Sequence, residues 1–207
     1  MDGALGRPRR FPPFTVTLII VNIVVFLADQ RWPLTEYGAL SVEGVRAGHV
    51  WELFSFQFLH ANWIHLLLNC WGIFVFGPPL ESILGARKLG VLYILSGIVG
   101  GGLQVVATLL AHQHFSSAVV GASAGVFGLV AAFTSLFPDA RMTVLLFFVI
   151  PVKMTANRML TVAAVITVVG MVFPNWILGT HVAHAAHLGG LIAGLVIVQV
   201  FLRRYRR

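Results

Sequence analysis

The sequence predicts an all-α, multi-spanning membrane protein: a single bundle of six transmembrane helices with a long interfacial loop between the first two. Three observations predict this fold: the composition, the spacing of the apolar stretches and the positions of the basic residues. Of the 207 residues, 58% are hydrophobic and only 10% are charged, and the mean hydropathy is +0.90. Soluble domains carry roughly 25% charged residues and less than half apolar ones, so an ordinary soluble protein is excluded.

The apolar stretches are long enough to place six spans. A helix crosses about 30 Å of hydrocarbon in ~20 residues. The predicted spans cover approximately residues 12–30, 57–78, 87–111, 118–137, 157–173 and 182–203. Residues 1–207 then form one membrane domain, with a short N-terminal segment at 1–11 and a basic C-terminal tail at 203–207.

Two segments between the spans need separate interpretation. Residues 31–56 are the longest polar stretch, and we expect an ordered interfacial loop there. The apolar segment Met142–Pro151 is too short to span and is bounded by prolines, so we expect it to lie along the interface. The alternative is seven spans, if this segment crosses the bilayer.

Basic residues predict the orientation in the membrane. With six spans both ends lie on one side, which collects Arg7, Arg9, Arg10, Arg87, Lys88, Arg141, Lys153, Arg158, Arg203, Arg204, Arg206 and Arg207. The opposite side receives only Arg31 and Arg46. Because cytoplasmic loops are enriched in lysine and arginine, we expect both termini to be cytoplasmic. The compact, basic chain suggests a bacterial or archaeal cell membrane.

The net charge of +7 is compatible with two kinds of partner, nucleic acid and anionic lipid. The basic residues lie in short clusters between apolar stretches and do not form one long stripe. This arrangement favours the headgroups of the lipid bilayer and no nucleic acid.

The fourth predicted span opens with a serine between glycines. Gly121-Ala122-Ser123-Ala124-Gly125 has the GxSxG pattern, in which glycines leave a nucleophilic hydroxyl uncrowded and expose backbone N–H groups to an oxyanion. Glycines four residues apart are also how membrane helices pack closely, so the motif alone favours packing. The strand-to-helix elbow of soluble hydrolases is not expected, because no strand is predicted.

The sixth predicted span carries histidines at a similar depth. At 1.5 Å per residue, Ser123 and His187 each lie ~8 Å inside their spans, so a hydrogen bond between them is geometrically reasonable. Gly190 and Gly194 provide a small face that lets the two helices approach. His184, one turn outward of His187, is the second choice for the base. The alternative for either histidine is hydrogen-bonded packing.

The second predicted span contains His60, His65 and Asn69. His65 and Asn69 are four residues apart and therefore share one helical face, and both can donate hydrogen bonds to a developing negative charge. Interhelical hydrogen bonding is the alternative for each, but the co-occurrence of all three groups in the outer halves of three spans favours catalysis. The 7 acidic residues all lie at span ends or in loops, so we expect a serine–histidine dyad with no orienting acid.

Taken together, these residues resemble the rhomboid family of intramembrane serine proteases. The matching pieces are His60-Ala-Asn-Trp-Ile-His65-Leu-Leu-Leu-Asn69, then Gly121-Ala-Ser123-Ala-Gly125-Val-Phe127-Gly128, then Ala186-His187-Leu-Gly-Gly190 with Gly194. The resemblance implies a rhomboid-like six-helix core, with Ser123 as nucleophile and His187 as general base. His65, Asn69 and the Ser123 backbone N–H would bind the oxyanion.

The resemblance also implies supporting residues and a substrate. His60 would be structural and Phe127 would pack behind His187. The remaining supporting residues are Gly121, Gly125, His184, Gly190 and Gly194. Substrates would be single-span transmembrane proteins cut in or near their membrane segment, and neither a cofactor nor a metal is expected. The site would open to the extracytoplasmic side, with the fifth span as gate and residues 174–181 as cap.

Two positions depart from the family pattern. Many relatives have Trp-Arg where this chain has Trp51-Glu52, and an acid-x-Arg pair often follows the second span where this chain has Glu81-Ser82-Ile83. Both departures concern loop anchoring and stability, and neither touches the predicted chemistry.

Three other functions stay open at this point. A transporter or channel could relay protons through the histidines, although no carboxylate lies mid-membrane and no inverted repeat with broken helices is evident. A metal enzyme could use His60, His65, His184 and His187, although the acid of an HExxH motif is missing. An inactive rhomboid-like protein could bind membrane helices, although the serine, histidine and oxyanion donors are all present.

Overall fold

The computed structural model describes residues 12–111, 118–146, 150–173 and 182–203, and within these ranges the chain is mostly helical. The long helices are α1 (Pro13–Asp29), α5 (Trp63–Leu84), α6 (Ala86–Leu110), α7 (Ser123–Leu136), α8 (Ala156–Val172) and α9 (His184–Arg203). Short helices α2 (Leu34–Gly38), α3 (Val42–Arg46) and α4 (Glu52–Ser55) precede a 3₁₀ turn at Phe56–Phe58. The strands are β1 (Leu40–Ser41), β2 (Ala118–Val119), β3 (Arg141–Leu146) and β4 (Ile150–Thr155).

Each predicted span overlaps one of the six long helices, although the second was predicted six residues too early at both ends and the fourth began five residues too early. Among the described residues, α5, α6 and α9 are long and apolar enough to cross a membrane. Helices α1, α7 and α8 are apolar but shorter, with 17, 14 and 17 residues. By length and composition, three helices can therefore cross a membrane. That α1, α7 and α8 also cross it stays a prediction.

The polar segment between α1 and α5 is folded into short helices and one strand, and it contacts the start of the GxSxG region. β1 pairs antiparallel with β2, with Leu40 opposite Val119. The buried carboxylate of Glu52 accepts hydrogen bonds from the backbone N–H and the hydroxyl of Ser41, at 2.9 and 3.2 Å. Glu52 thus stabilises β1, and β1 in turn stabilises the segment that leads to Gly121.

The N-terminus of α1 is fixed by a carboxylate from α5. Glu81 is buried and accepts hydrogen bonds from the backbone N–H groups of Phe14 and Thr15, at 2.9 and 2.8 Å, and from the Thr15 hydroxyl at 2.7 Å. The first N–H groups of a helix have no partner within it, and the helix dipole favours a negative charge there. Glu81 is the acid of the acid-x-Arg pattern, in which Ile83 replaces the arginine, and Glu52 replaces the arginine of Trp-Arg; both glutamates carry anchoring carboxylates.

The apolar segment Met142–Pro151 forms most of a β-hairpin, which corrects the expectation of a chain without strands. β3 pairs antiparallel with β4, with Arg141 opposite Thr155 and Leu146 opposite Ile150. The physical reason is a period of two: Arg141 and Thr143 alternate with Met142 and Val144, as in a strand with one polar face. A hairpin enters and leaves on the same side, so it adds no span.

The core lies where α5, α6, α7 and α9 meet, and glycines set how closely these helices approach. A Cβ atom at Gly190 or Gly194 of α9 would collide with the carbonyl oxygens of Ala124 and Gly128 in α7. A Cβ at Gly189 would come within 2.8 Å of the Cα of Gly100 in α6. Buried side chains fill the space around these contacts, among them Leu80, Leu92, Tyr93, Leu129 and Val198.

Candidate active site

The side chains of Ser123 and His187 meet between α7 and α9. His187 Nε2 lies 2.8 Å from Ser123 Oγ, which is within hydrogen-bonding distance. Ser123 is the first residue of α7, and His187 ends the first turn of α9. This distance agrees with the proximity that the shared depth predicts for the two residues.

Ser123 reaches its depth in a different way from the one expected. The predicted span starts at residue 118, but residues 118–122 are β2 and a turn, and the helix begins at Ser123 itself. With 14 residues, α7 is only ~21 Å long against about 30 Å of hydrocarbon. A helix that short leaves its first residue below the surface when its other end lies at the opposite face. The short strand, turn and helix around the serine were not expected from the sequence.

Gly121 adopts a backbone conformation that brings a histidine close to the serine. Its φ of 130° lies in a region that other residues rarely adopt, and its N–H donates to the Phe56 carbonyl at 2.9 Å. A Cβ atom here would lie 2.6 Å from Cε1 and 2.7 Å from Nε2 of His65. The missing side chain therefore makes room for the His65 imidazole next to Ser123.

Phe127 stacks on the imidazole of His187. The two rings are 4.3 Å apart between centroids, and their planes differ by 7°. Phe127 is one helical turn beyond Ser123, so α7 provides both the hydrogen-bond partner and the packing surface of His187. The position of Phe127 matches the one that the family resemblance implies.

The other two polar residues of the second predicted span contact His65: Asn69 lies in α5, whereas His60 precedes the helix, which begins at Trp63. The Asn69 side-chain amide donates to the His65 carbonyl oxygen at 2.9 Å, which uses one of its two hydrogens. His60 is buried, and its ring lies edge-on to that of His65 with centroids 5.2 Å apart. His60 and Asn69 thus both contact His65, and an oxyanion role for His65 or Asn69 stays a prediction.

His184 lies beside the site and faces α8. Its buried ring is edge-on to His187 with centroids 6.3 Å apart, and it packs so closely on Gly170 of α8 that a Cβ there would collide with it. His187 is the histidine that contacts Ser123. The segments predicted as N-terminal segment (1–11) and cap (174–181) lie outside the described residues.

Gln104 is a site-supporting residue that sequence reasoning missed. It is buried in α6, and its Oε1 accepts a hydrogen bond from the Ala186 N–H at 3.2 Å. Ala186 lies in the first turn of α9, where backbone N–H groups have no partner within the helix. Gln104 therefore holds α9 one residue before His187. The available signal was a polar side chain inside an apolar span.

Among the residues that the structure describes, no group of three or more histidine, cysteine, aspartate or glutamate side chains could hold a metal ion. His60 and His65 are neighbours, as are His184 and His187. The metal-enzyme alternative would need further ligands around one of these pairs.

Comparison with known proteins agrees with the motifs. Residues 47–204 match the Rhomboid domain. The "Putative rhomboid protease YdcA" of Bacillus subtilis is 31% identical over 216 residues, covering 96% of this chain and 98% of the relative. The "RHOMBOID-like protein 1" of Arabidopsis thaliana is 35% identical over 86% of this chain and 41% of the relative. The "Rhomboid protease GlpG" of Pectobacterium atrosepticum is 28% identical over 89% of this chain and 61% of the relative.

The length of the match differs between relatives. The chain spans 41%, 50% and 52% of the length of three Arabidopsis thaliana relatives, whereas it spans nearly all of the Bacillus subtilis one. The domain match covers most of the chain, and three described helices are long and apolar enough to cross a membrane. The chain is therefore an integral membrane protein that belongs to the rhomboid family.

Proposed function

We propose that the chain is an intramembrane serine endopeptidase, which hydrolyses peptide bonds in or near the transmembrane segments of single-span membrane proteins with a Ser123–His187 dyad. The observation that carries the proposal is the distance of 2.8 Å between Ser123 Oγ and His187 Nε2, contributed by two separate helices. Two relatives whose names call them rhomboid proteases support this class of activity.

In the proposed reaction, Ser123 Oγ attacks the substrate carbonyl carbon while His187 Nε2 accepts the hydroxyl proton. His187 then donates this proton to the leaving amine, and a water molecule hydrolyses the acyl-enzyme with the same imidazole as base. Stacking on Phe127 restricts the His187 ring to a plane in which Nε2 faces the serine. A fixed ring lowers the entropy that has to be lost on reaching the transition state.

The oxyanion of the tetrahedral intermediate needs hydrogen-bond donors next to Ser123. The Ser123 N–H is in the first turn of α7, where backbone amides lack helical partners. His65 is adjacent across Gly121, and Asn69 keeps a second amide hydrogen after bonding the His65 carbonyl. We assign these three groups to the oxyanion site, where each donor acts on charge that develops during attack.

The proposed topology has six crossings. Helices α1, α7 and α8 cross together with α5, α6 and α9, so residues 1–207 form one membrane domain with both termini cytoplasmic. The active site then opens to the extracytoplasmic side, where α7 and α9 begin. The short length of α7 supports a serine below that surface, in a cavity that water reaches from outside.

Substrate entry belongs to the α8 side of the bundle in this proposal. An intact helix hides its carbonyls in hydrogen bonds, so a transmembrane substrate has to unwind locally before attack. Only Ala156, Thr167 and Gly170 of α8 are buried among its described side chains. Displacement of α8 therefore exposes little buried surface, and residues 174–181, the connection to α9, act as the cap.

The test is cleavage of a panel of single-span proteins, together with covalent labelling by a fluorophosphonate probe. We expect Ser123→Ala and His187→Ala to abolish both signals in folded, purified protein. Ser135→Ala is the matched serine control in the same helix, and its hydroxyl bonds only the Ala131 carbonyl of its own helix in the described contacts. His49→Gln is the matched histidine control, because His49 lies in the segment between α1 and α5 and glutamine can keep a polar contact with Glu52.

Substantial turnover by purified Ser123→Ala or His187→Ala protein contradicts the dyad. Absence of labelling and cleavage in the wild type favours the inactive binding module or the transporter instead. Loss of wild-type cleavage on addition of a chelator favours the metal enzyme.

A further inference from the structure

An open groove lies between β4 and the first two turns of α8, at the end of the bundle opposite Ser123. Its volume is about 410 Å³, within the ~300–1,000 Å³ range of small-molecule sites. Lys153 of β4 and Arg158 of α8 line it together with the polar side chains Asn157 and Thr161. Val162 closes the end of the groove that is nearer to the middle of α8.

The groove and its surroundings carry more positive than negative charge. Lys153 and Arg158 are exposed, and within the described part of the chain neither forms an ion pair with a carboxylate. Asp139 is the only acidic residue after Glu81 in the whole sequence. Arg141, opposite Thr155 at the open end of the hairpin, adds a third positive charge nearby. The groove is therefore complementary to an anion.

An apolar surface continues from the groove along α8. Val162 is 45% exposed, Val165 55% and Ile166 38%. In a membrane protein such a surface faces lipid chains. A ligand that fills the groove and follows this surface needs an anionic head and an apolar body.

We propose that this groove binds one anionic diacyl phospholipid. Its headgroup phosphate lies between Lys153 and Arg158 and accepts a hydrogen bond from the Asn157 side-chain amide. Its acyl chains follow Val162 and the exposed face of α8. Phosphate oxygens are strong acceptors for both cations. Anionic lipids are enriched in the cytoplasmic leaflet, the side on which the proposed topology places the hairpin. This inference rests on the proposed topology and does not depend on proteolytic activity.

The test measures lipid retention by the purified full chain with native mass spectrometry. The probes are phosphatidylglycerol and phosphatidylcholine with identical acyl chains, titrated in detergent. We expect one phosphatidylglycerol per chain at concentrations where phosphatidylcholine is not retained. A Lys or Arg near an anionic lipid surface contributes roughly a fivefold factor, so Lys153→Gln combined with Arg158→Gln lowers the affinity about 30-fold.

The matched control is Arg87→Gln combined with Arg203→Gln, which removes the same charge from exposed positions at the same end of the bundle. We expect this control to keep the bound lipid. We also expect the charge-preserving double variant, Lys153→Arg combined with Arg158→Lys, to keep it. The proposal is overturned if the groove variant and the control variant lose the same amount of phosphatidylglycerol. It is also overturned if the wild type retains phosphatidylcholine as well as phosphatidylglycerol. Full displacement by millimolar inorganic phosphate also overturns it, because the groove is then a phosphate site and not a lipid site.

Discussion

Helix α9 makes two different kinds of contact on its two sides. Towards α7, Gly190 and Gly194 lie against backbone carbonyl oxygens, so no Cβ fits between the helices. Towards α8, Gly170 lies against the ring of His184, which is a side chain of α9 itself. A backbone obstacle moves only if a helix moves, whereas an imidazole can rotate. The Ser123–His187 pair therefore lies on the side of α9 that is fixed.

This difference fits the two demands on an intramembrane protease. The reacting groups must be held within a fraction of an ångström, because a misplacement of about 1 Å can lower the rate ~100-fold. A transmembrane substrate must also reach them sideways from the lipid. In the proposed function, the close backbone packing at the α7 side would serve the first demand, and the few buried residues of α8 would serve the second.

The largest expected effect is that of Gly190→Ala. The new methyl group would collide with the Ala124 carbonyl next to Ser123 and separate α7 from α9. We expect fluorophosphonate labelling and substrate cleavage to fall by at least ~100-fold, and the free energy of unfolding to fall by ~1–3 kcal/mol, as overpacking predicts. Labelling kinetics and thermal unfolding in detergent measure the two effects.

Gly102→Ala is the control for Gly190→Ala, because a Cβ at Gly102 in α6 meets no atom within 4 Å. Alanine is the better helix former by roughly 1 kcal/mol, so this variant keeps its activity and its stability does not fall. Wild-type labelling in Gly190→Ala would mean that α7 and α9 are not rigidly held against each other. The α7 side of α9 would then be no more fixed than the α8 side.

Glu52→Ala tests whether the fixed side extends outward beyond the helices, and its expected effect is on stability, whereas the main effect of Gly190→Ala is on activity. The change removes the acceptor for the Ser41 N–H and hydroxyl and so weakens β1, which pairs with β2 just before Gly121. Hydrogen bonds to a charged group contribute about 1.5–3 kcal/mol each, so the loss of both bonds predicts a fall of roughly 3–6 kcal/mol in unfolding free energy. Glu43→Ala is the exposed control and leaves thermal unfolding unchanged. Equal unfolding temperatures for both variants would remove Glu52 from the anchoring contacts.

The sequence predicted the contact between Ser123 and His187 better than the local structure around it. The predicted contact is present, but the reason for it was wrong: counting placed Ser123 ~8 Å inside a helix, whereas Ser123 is the first residue of α7. The start of α7 was placed five residues too early, at residue 118. The residue at which α7 begins depends on the pairing of β2 with the distant β1 and on the φ angle of Gly121. A helical hydropathy pattern contains neither piece of information.

The hairpin and Gln104 were missed for two different reasons. The length of Met142–Pro151 shows only that the segment is too short to span. The strand is indicated by a different signal, the alternation of polar Arg141 and Thr143 with apolar Met142 and Val144, which has a period of two. Gln104 was visible as a polar residue, but its partner depends on the rotation of α6 about its own axis. Such a rotation is set by tertiary packing, here by glycines against α9.

A smaller effect is expected for Gln104→Leu, which removes one polar contact from the fixed side. The Ala186 N–H loses its acceptor, and α9 can shift at the residue before His187. We expect kcat to fall by roughly 3–30-fold with KM unchanged, which corresponds to about 0.7–2 kcal/mol of lost transition-state stabilisation. Thr108→Val is the control, because the buried Thr108 hydroxyl bonds the backbone of its own helix. A rise in KM alone in Gln104→Leu would place this residue in substrate binding instead.

The smallest effect is expected for Gly170→Ala, the counterpart of Gly190→Ala on the other side of α9. Its methyl group meets a side chain, the His184 ring, and not backbone, and α8 can move outward because few of its residues are buried. The labelling rate of Ser123 should therefore stay within about threefold of the wild type, a change below ~1 kcal/mol in activation free energy. The same labelling and unfolding measurements apply. If Gly170→Ala instead abolishes labelling as fully as Gly190→Ala, then α8 is held as tightly as α7, and lateral entry of the substrate at α8 loses its structural basis.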